Sequence, residues 1–285
     1  MCSTGASVKA PVNKIIPFSS VDGPGNRTAI FLQGCNFRCA YCHNPETISM
    51  CVHCGACVKA CPAGALQMKS GRVVYDICKC CLCDACIKAC PNMASPRIRW
   101  MDAEAVLHEV EKNRPFVRGV TVSGGECTLH REFLLALAQK AKQAGLHVLL
   151  DSNGSYDFAA DPALLESIDG VMLDVKAWDE QTHLALTGAG NAAVLKNLSY
   201  LAQAGKLEEV RSVIAPGTMD AEATVENVSR ILAAHGGNIR YKLITYRPMG
   251  VRAQFREALR IPGEEYLQSL AAKAHALGAA NVAIL

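Results

Sequence analysis

The sequence predicts an α/β protein built on a parallel sheet, with a small cysteine-rich module inserted near its start. Two observations carry that prediction. Beyond Pro96, apolar strand-like runs alternate with amphipathic helical stretches, a pattern that calls for parallel strands joined by right-handed crossovers. Between Cys35 and Cys90, thirteen of the fifteen cysteines crowd together and the strand–helix alternation stops. The chain therefore divides into residues 1–47, which start the sheet and carry a cysteine loop, residues 48–97, the insert, and residues 98–285, the rest of the sheet and its helices. With 285 residues it can bury a sizeable core. Periodicity alone leaves a partial barrel and a doubly wound sheet equally open.

Taken in order, residues 28–32 form a short β-branched and apolar run that reads as a first strand. The loop after it is Gly34-Cys35-Asn36-Phe37-Arg38-Cys39-Ala40-Tyr41-Cys42-His43. Cysteines separated by three and then two residues can converge on three corners of an iron–sulfur cubane and leave the fourth iron without a protein ligand. An open iron can bind a substrate, whereas a four-cysteine cluster is coordinatively closed. A zinc loop or a group of inert thiols is the alternative. Tyr41 before the last cysteine, and the strand leading into the loop, favour the cluster.

The insert contains an internal repeat, Cys51-x2-Cys54-x2-Cys57-x3-Cys61-Pro62 followed by Cys80-x2-Cys83-x2-Cys86-x3-Cys90-Pro91. Each run has the bacterial ferredoxin spacing, in which the fourth cysteine ligates the other cluster. The expected sets are Cys51, Cys54, Cys57 and Cys90 on one cluster, and Cys80, Cys83, Cys86 and Cys61 on the other. Cys78 and Cys81 compete for the second register, and Cys2 and Cys127 read as free thiols. An odd cysteine count, the clustering and the lack of an export signal in the first residues all argue against disulfides.

After the insert, Asp102 is an N-cap candidate for a helix running to about residue 113, and residues 117–123 read as a buried strand. A helix over 129–144 closes at Gly145, and further strands follow at 146–150, 170–174, 209–214 and 239–244. A helix over 264–277 precedes a last short strand at 281–285, which brings the parallel strands to six or seven.

Polar residues gather at the carboxyl ends of these strands, where parallel α/β proteins place their working groups. Ser123-Gly124-Gly125-Glu126 ends one strand; its glycines allow close approach to the backbone and its carboxylate can receive an ammonium group. Asp151-Ser152-Asn153-Gly154 and Asp174-Val175-Lys176 end the next two. Each aspartate could equally be a helix cap, Arg211 could simply pair with an acidic neighbour, and Asp22-Gly23-Pro24-Gly25 could be only a turn.

The formal charge of +3 counts cysteines as neutral. Two four-thiolate clusters at about −2 each and one three-thiolate cluster at about −1 bring the loaded protein near −2. No concentrated basic face points to nucleic acid, and no apolar run approaches the roughly 20 residues that cross a bilayer. The first residues carry neither a basic cluster nor an apolar core, so the expected location is cytoplasmic.

With its flanks Val21-Asp22-Gly23-Pro24-Gly25 and Cys42-His43-Asn44-Pro45, the three-cysteine loop resembles the radical S-adenosylmethionine (SAM) superfamily, and within it the glycyl-radical-enzyme activating enzymes, nearest the YjjW type. The resemblance spans nearly the whole chain. It implies an open, TIM-like (β/α)6 partial barrel, with the cluster on Cys35, Cys39 and Cys42 chelating SAM. Reductive cleavage of SAM then gives methionine and a 5′-deoxyadenosyl radical, which abstracts a Cα hydrogen from a glycine of a partner glycyl radical enzyme. The family pattern places Gly124, Gly125 and Glu126 at the SAM amino group, and Lys176 and Arg211 in the same cavity. It also implies a monovalent cation held by Asp151, Ser152, the Met172 carbonyl and Asp174; Ser152 replaces the usual threonine and keeps the hydroxyl. Tyr246-Arg247 departs from the family's aromatic–histidine pair, which puts a role for Arg247 in doubt. Asp22 would border the opening for the glycine loop and His43 would shield the cubane. The expected cofactors are three 4Fe–4S clusters and SAM, the donor flavodoxin or ferredoxin, the state a monomer. A radical SAM enzyme acting on a small molecule, or a ferredoxin-type electron carrier, are the rival readings.

Overall fold

The computed structural model describes residues 7–285, so Cys2 lies outside the described residues. The chain opens on a hairpin, β1 (Lys9–Ser19) antiparallel to β2 (Arg27–Leu32), and then enters the insert. There α1 (Ala56–Ala60), the hairpin of β3 (Leu66–Lys69) with β4 (Arg72–Tyr75), and α2 (Ala85–Lys88) follow one another. The chain returns to the main sheet through β5 (Arg99–Asp102), α3 (Ala103–Glu111), β6 (Gly119–Gly124), α4 (Arg131–Gln143) and β7 (His147–Ser152). Then come α5 (Pro162–Ser167), β8 (Gly170–Asp174), α6 (Glu180–Thr187), α7 (Ala192–Gln203), β9 (Leu207–Ile214) and α8 (Ala221–Ala234). The last elements are β10 (Arg240–Thr245), α9 (Ala253–Arg256), α10 (Glu264–Ala276) and β11 (Val282–Ile284).

The main sheet has nine strands in the order β11-β10-β9-β8-β7-β6-β2-β1-β5. Seven of them, β2 and β6 through β11, are parallel neighbours, while β1 and β5 run antiparallel at one side. From β6 onward every new strand adds on the same side. A doubly wound sheet reverses its order at a switch point, and no such reversal occurs here. Right-handed crossovers that never change direction put the helices on one face and leave the other face inward, the winding of a barrel left open between β11 and β5. The two antiparallel strands escape the sequence pattern for a physical reason: β1 carries Pro11 and Pro17, residues that demote a strand, and β5 is only four residues long.

The parity of each strand explains the two faces. On the helix side Val171, Leu173, Val210, Ile214, Tyr241 and Leu243 are fully buried. The helices present matching stripes, Val106 and Val110 on α3 and Phe133, Leu134, Leu137, Ala138 and Ala141 on α4. Each such aliphatic side chain is worth about 1.5–3 kcal/mol of burial. The residues between them, Asp151, Met172, Asp174, Glu209, Arg211 and Lys242, point to the inner face. Asp102 caps α3 as expected, its Oδ1 accepting from the Ala105 N–H at 2.9 Å. The helix expected over 129–144 begins as a 3-10 turn at Cys127–His130 before α4 proper.

Within the insert, Cys57, Leu66, Val73 and Cys86 share a small apolar cluster. The two cysteine runs have equivalent backbones: His53 and Leu82 take φ of 57° and 55°, and Gly55 and Asp84 take 82° and 59°. That left-handed pattern lies two and four residues after Cys51 and after Cys80, so the backbone repeat aligns Cys80, Cys83 and Cys86 with Cys51, Cys54 and Cys57 and leaves Cys78 and Cys81 outside it.

Candidate active site

The backbone of the three-cysteine loop is held by hydrogen bonds from four directions. Gly34 and Cys35 donate to the Thr47 and Ile48 carbonyls at 2.8 and 2.9 Å, and Arg38 and Ala40 donate to Thr187 and Leu186 of α6 at 2.8 Å. From the far end of the chain, the Arg252 guanidinium donates to the Arg38 carbonyl at 2.8 Å and the Cys39 carbonyl at 3.1 Å. Gly125 donates to the Leu32 carbonyl and Glu126 to the Gly34 carbonyl, at 2.9 and 2.8 Å. This contact explains the glycine pair: a Cβ on Gly124, at φ +122°, would fall 2.1 Å from the Leu32 carbonyl, and one on Gly125 2.1 Å from that of Gly34. The end of β2 thus approaches Gly124, and the cysteine loop approaches Gly125.

The thiols of Cys35, Cys39 and Cys42 line one cavity of about 1440 Å³, together with Gly124, Gly125, Asp151, Ser152, Asp174, Lys176 and Arg211. Among the described residues no three His, Cys, Asp or Glu side chains close around a single point. Burial pushes the Cys35 thiol up to about 12 and the Cys42 thiol to about 11, and raises Cys39 as well. Burial thus disfavours the charged form of all three thiols. Asn153 aims its amide at the loop, with Nδ2 at 3.8 Å from the Cys35 Sγ and 3.0 Å from the Asn36 Oδ1. The Tyr41 hydroxyl is buried at the same place without a hydrogen-bond partner among the described residues. Sulfur donors, an amide facing sulfur and an unpaired buried hydroxyl fit a cluster with a bound ligand.

Glu126 lies behind this wall and is fully buried. Its Oε1 accepts from the Thr128 hydroxyl at 2.6 Å and the Ser152 hydroxyl at 2.9 Å, and its Oε2 accepts from the Asn153 N–H at 2.7 Å. Burial raises its pKa against those donors. The carboxylate thus ties the end of β6 to the end of β7. Ser152 donates its hydroxyl to Glu126. Asp151 meets Arg211, NH1 to Oδ1 at 3.0 Å, and accepts from the Ser123 hydroxyl at 2.8 Å. The Met172 sulfur faces Arg211 NH2 at 3.2 Å. Asp174 pairs with Lys176 at 2.8 Å, and the lysine lies over the Tyr41 ring at 5.7 Å. Burial opposes the Lys176 charge, yet Asp174 holds its pKa well above the usual lysine value.

Two residues that carry the site were missed in the sequence. Glu209 is buried and bridges Arg211 Nε at 2.6 Å to Lys242 Nζ at 2.8 Å, extending the charge chain from Asp151 across β9 into β10. The signal was charge at one strand parity, Glu209-x-Arg211 and Arg240-x-Lys242 inside otherwise apolar runs. Asn153 was visible only as part of a turn-like Asp-Ser-Asn-Gly. Arg247 is exposed; its carbonyl, 3.1 Å from the His43 ring, is what reaches the loop, and Arg252 makes the cationic contact. Asp22 lines the same cavity, and Arg211 NH2 reaches the neighbouring Val21 carbonyl at 3.5 Å. Cys127 is a buried free thiol.

The description Radical SAM superfamily matches residues 29–228, more than half of the chain. The (2S)-3-sulfopropanediol sulfolyase activating enzyme of Bilophila wadsworthia is 33% identical over 82% of this chain and 83% of its own length. The choline trimethylamine-lyase activating enzyme of Oleidesulfovibrio alaskensis is 30% identical over 85% of both chains. The crystal structure of QueE from Escherichia coli, at 12% identity, covers 97% of this chain and 94% of its own with a TM-score of 0.53, a likeness of fold. The chain belongs to the radical SAM superfamily and, within it, to the glycyl-radical-enzyme activating enzymes.

Proposed function

We propose that a loop of a partner glycyl radical enzyme enters the cavity beside the three thiols and loses a hydrogen atom from one glycine Cα. When bound, the cubane on Cys35, Cys39 and Cys42 supplies the electron that splits SAM into methionine and the 5′-deoxyadenosyl radical that takes this hydrogen. The chain's own residues bind, orient and exclude water. Gly124 and Gly125 form the wall toward the SAM amino group, and Glu126 braces it from behind. Lys176 and Arg211 offer positive charge to the SAM carboxylate and are aimed by Asp174 and Asp151. The same reading includes a monovalent cation on Asp151, Ser152, the Met172 carbonyl and Asp174. In this reading no side chain acts as an acid or base.

The observation that carries the reading is the shape of the cavity. Small-molecule pockets run to roughly 300–1,000 Å³. This one is larger and continues from the thiols past β1 to Cys80 and Cys90 of the insert. The clusters and SAM take part of this space, and its extension along β1 to the insert offers room for a protein loop. That favours a protein substrate over a small one.

Residues 48–97 form, in the same reading, a ferredoxin-like domain with two further 4Fe–4S clusters. The crossed ligand sets draw support from a second, small cavity lined by Cys61 together with Cys80, Cys81, Cys83 and Cys86. Electrons from flavodoxin or ferredoxin pass through it to the barrel of a monomeric, cytoplasmic protein. Counting iron tests the assignment: about 12 per chain after anaerobic reconstitution, and about 8 when Cys35, Cys39 and Cys42 are all alanine, with SAM cleavage abolished. SAM cleavage by the triple variant would overturn the assignment.

A further inference from the structure

We propose that the first cysteine run and the β3–β4 hairpin form the docking face for an acidic electron-carrier protein, centred on the exposed Cys54. The proposal rests on the two-cluster reading of residues 48–97. Both strands of the hairpin lie against the loop that carries Cys54. The Val73 N–H of β4 donates to His53 Nδ1 at 3.1 Å, and a Cβ on Gly55 would fall 2.9 Å from the Met68 Cε of β3. The hairpin turn presents Lys69 and Arg72, opposite each other in register, and α1, which starts just after Gly55, presents Lys59. All three are exposed, and so are Val52 and Met68 on the same segments.

The charge on this face is one-sided. From residue 47 to residue 75 the chain holds no Asp or Glu. The second run differs: there Lys79 pairs with Asp76 at 3.7 Å and Arg97 with Asp84 at 2.7 Å, whereas among the described residues Lys59, Lys69 and Arg72 have no carboxylate partner. Their summed charge exceeds the value of about −2 on one four-thiolate cluster, so the loaded face stays positive. A positive rim around a few exposed apolar side chains suits a transient redox partner of opposite charge, because steering speeds the encounter and a small contact lets the spent carrier leave. The two runs also have different surroundings. Cys80, Leu82 and Cys90 line the large cavity with Cys35, Cys39 and Cys42, and none of Cys51, Cys54, Cys57 and Cys61 does. In the crossed ligand set Cys54 and Cys90 hold one cluster, which then reaches from the docking face to the catalytic cavity. One electron leaves the reduced carrier and enters that cluster; no bond forms or breaks and no proton moves.

The test is anaerobic stopped-flow reduction of fully loaded, oxidised protein by a reduced acidic flavodoxin and, separately, by a reduced acidic ferredoxin, followed through the cluster absorption, with iron counted in each sample. With at least one carrier the wild-type rate should fall as salt rises from about 0.05 to about 0.3 M, since salt screens the attraction. The Lys59→Glu, Lys69→Glu, Arg72→Glu triple variant should be reduced at least about tenfold more slowly at low salt, with full iron and the same final extent of reduction by dithionite. If the triple variant loses iron, the Lys69→Glu, Arg72→Glu pair, confined to the hairpin turn, carries the test with a slowing of at least about threefold. A variant reduced at the wild-type rate, a wild-type rate indifferent to salt, or reduction by neither carrier would overturn the docking face. Iron for fewer than two clusters in the wild-type insert would instead remove the cluster reading, and the proposal with it.

Discussion

Gly125 and Glu126 are neighbours in sequence with unlike tasks. Gly125 lets the cluster loop touch the end of β6, and an added Cβ would sit 2.1 Å from the Gly34 carbonyl. Gly125→Ala should therefore displace the loop, and iron at the three-cysteine site should fall by most of one cluster while the insert keeps its own. Full iron in that variant would show that the contact is dispensable. Glu126→Ala removes the acceptor for the Thr128 and Ser152 hydroxyls and the Asn153 N–H. Leaving such donors buried and unpaired costs about 1–3 kcal/mol each, so denaturation should register a loss of about 3 kcal/mol or more. A change below about 1 kcal/mol would mean that water or the loop replaces the carboxylate. The sequence made both residues candidates because glycines and a carboxylate at a strand end are chemically conspicuous. It could not say that Glu126 faces away from the cavity, since that depends on Ser152 and Asn153, brought to it by a different strand.

At the scale of elements, β9 carries the most charge for its burial. Glu209 is 1% exposed between Arg211 and Lys242, and removing one partner of a buried ion set leaves the others uncompensated. Glu209→Gln should destabilise the protein by about 3–5 kcal/mol, whereas replacing Glu209 and Lys242 together by apolar residues of similar volume should cost much less. Equal losses in the two variants would argue that shape, not charge, matters there. The parallel strands were legible because each is a short apolar run between helices, and the cysteine repeat because its two runs share one spacing and one backbone conformation. The antiparallel β1 and β5 were not, since prolines and brevity erase the strand pattern. Barrel or doubly wound winding was undecided for a deeper reason: strand order is a long-range property, and both windings use the same local βα units.

For the whole molecule, acid stability offers an independent check of the packing between α4 and the turn before α5. Asp161 accepts from Arg131 Nε and NH2 at 2.6 and 2.9 Å and from the Tyr156 hydroxyl and the Leu164 N–H, and the Arg131 pair holds its pKa far below the usual carboxylate range. A depressed carboxylate stabilises the fold above its unfolded pKa of about 3.9, and that contribution is lost as pH falls toward the folded value. The stability difference between wild type and Asp161→Asn should be constant from pH 7 to about 5 and shrink steadily below about pH 4. A difference that does not change with pH would assign the effect to lost hydrogen bonds alone.

The central claim is that one cavity brings three thiols, SAM and a partner's glycine together. Its most direct test is an anaerobic EPR spectrum of the reconstituted, reduced protein with SAM and a glycyl radical enzyme from the same genome, with 5′-deoxyadenosine assayed in the same tube. The account predicts a doublet organic radical that vanishes when the partner's glycine is changed to alanine and when Cys35, Cys39 and Cys42 are replaced. With every glycyl radical enzyme of that genome tried in turn, 5′-deoxyadenosine without a doublet would contradict the protein substrate, and neither product in fully loaded protein would contradict the chemistry.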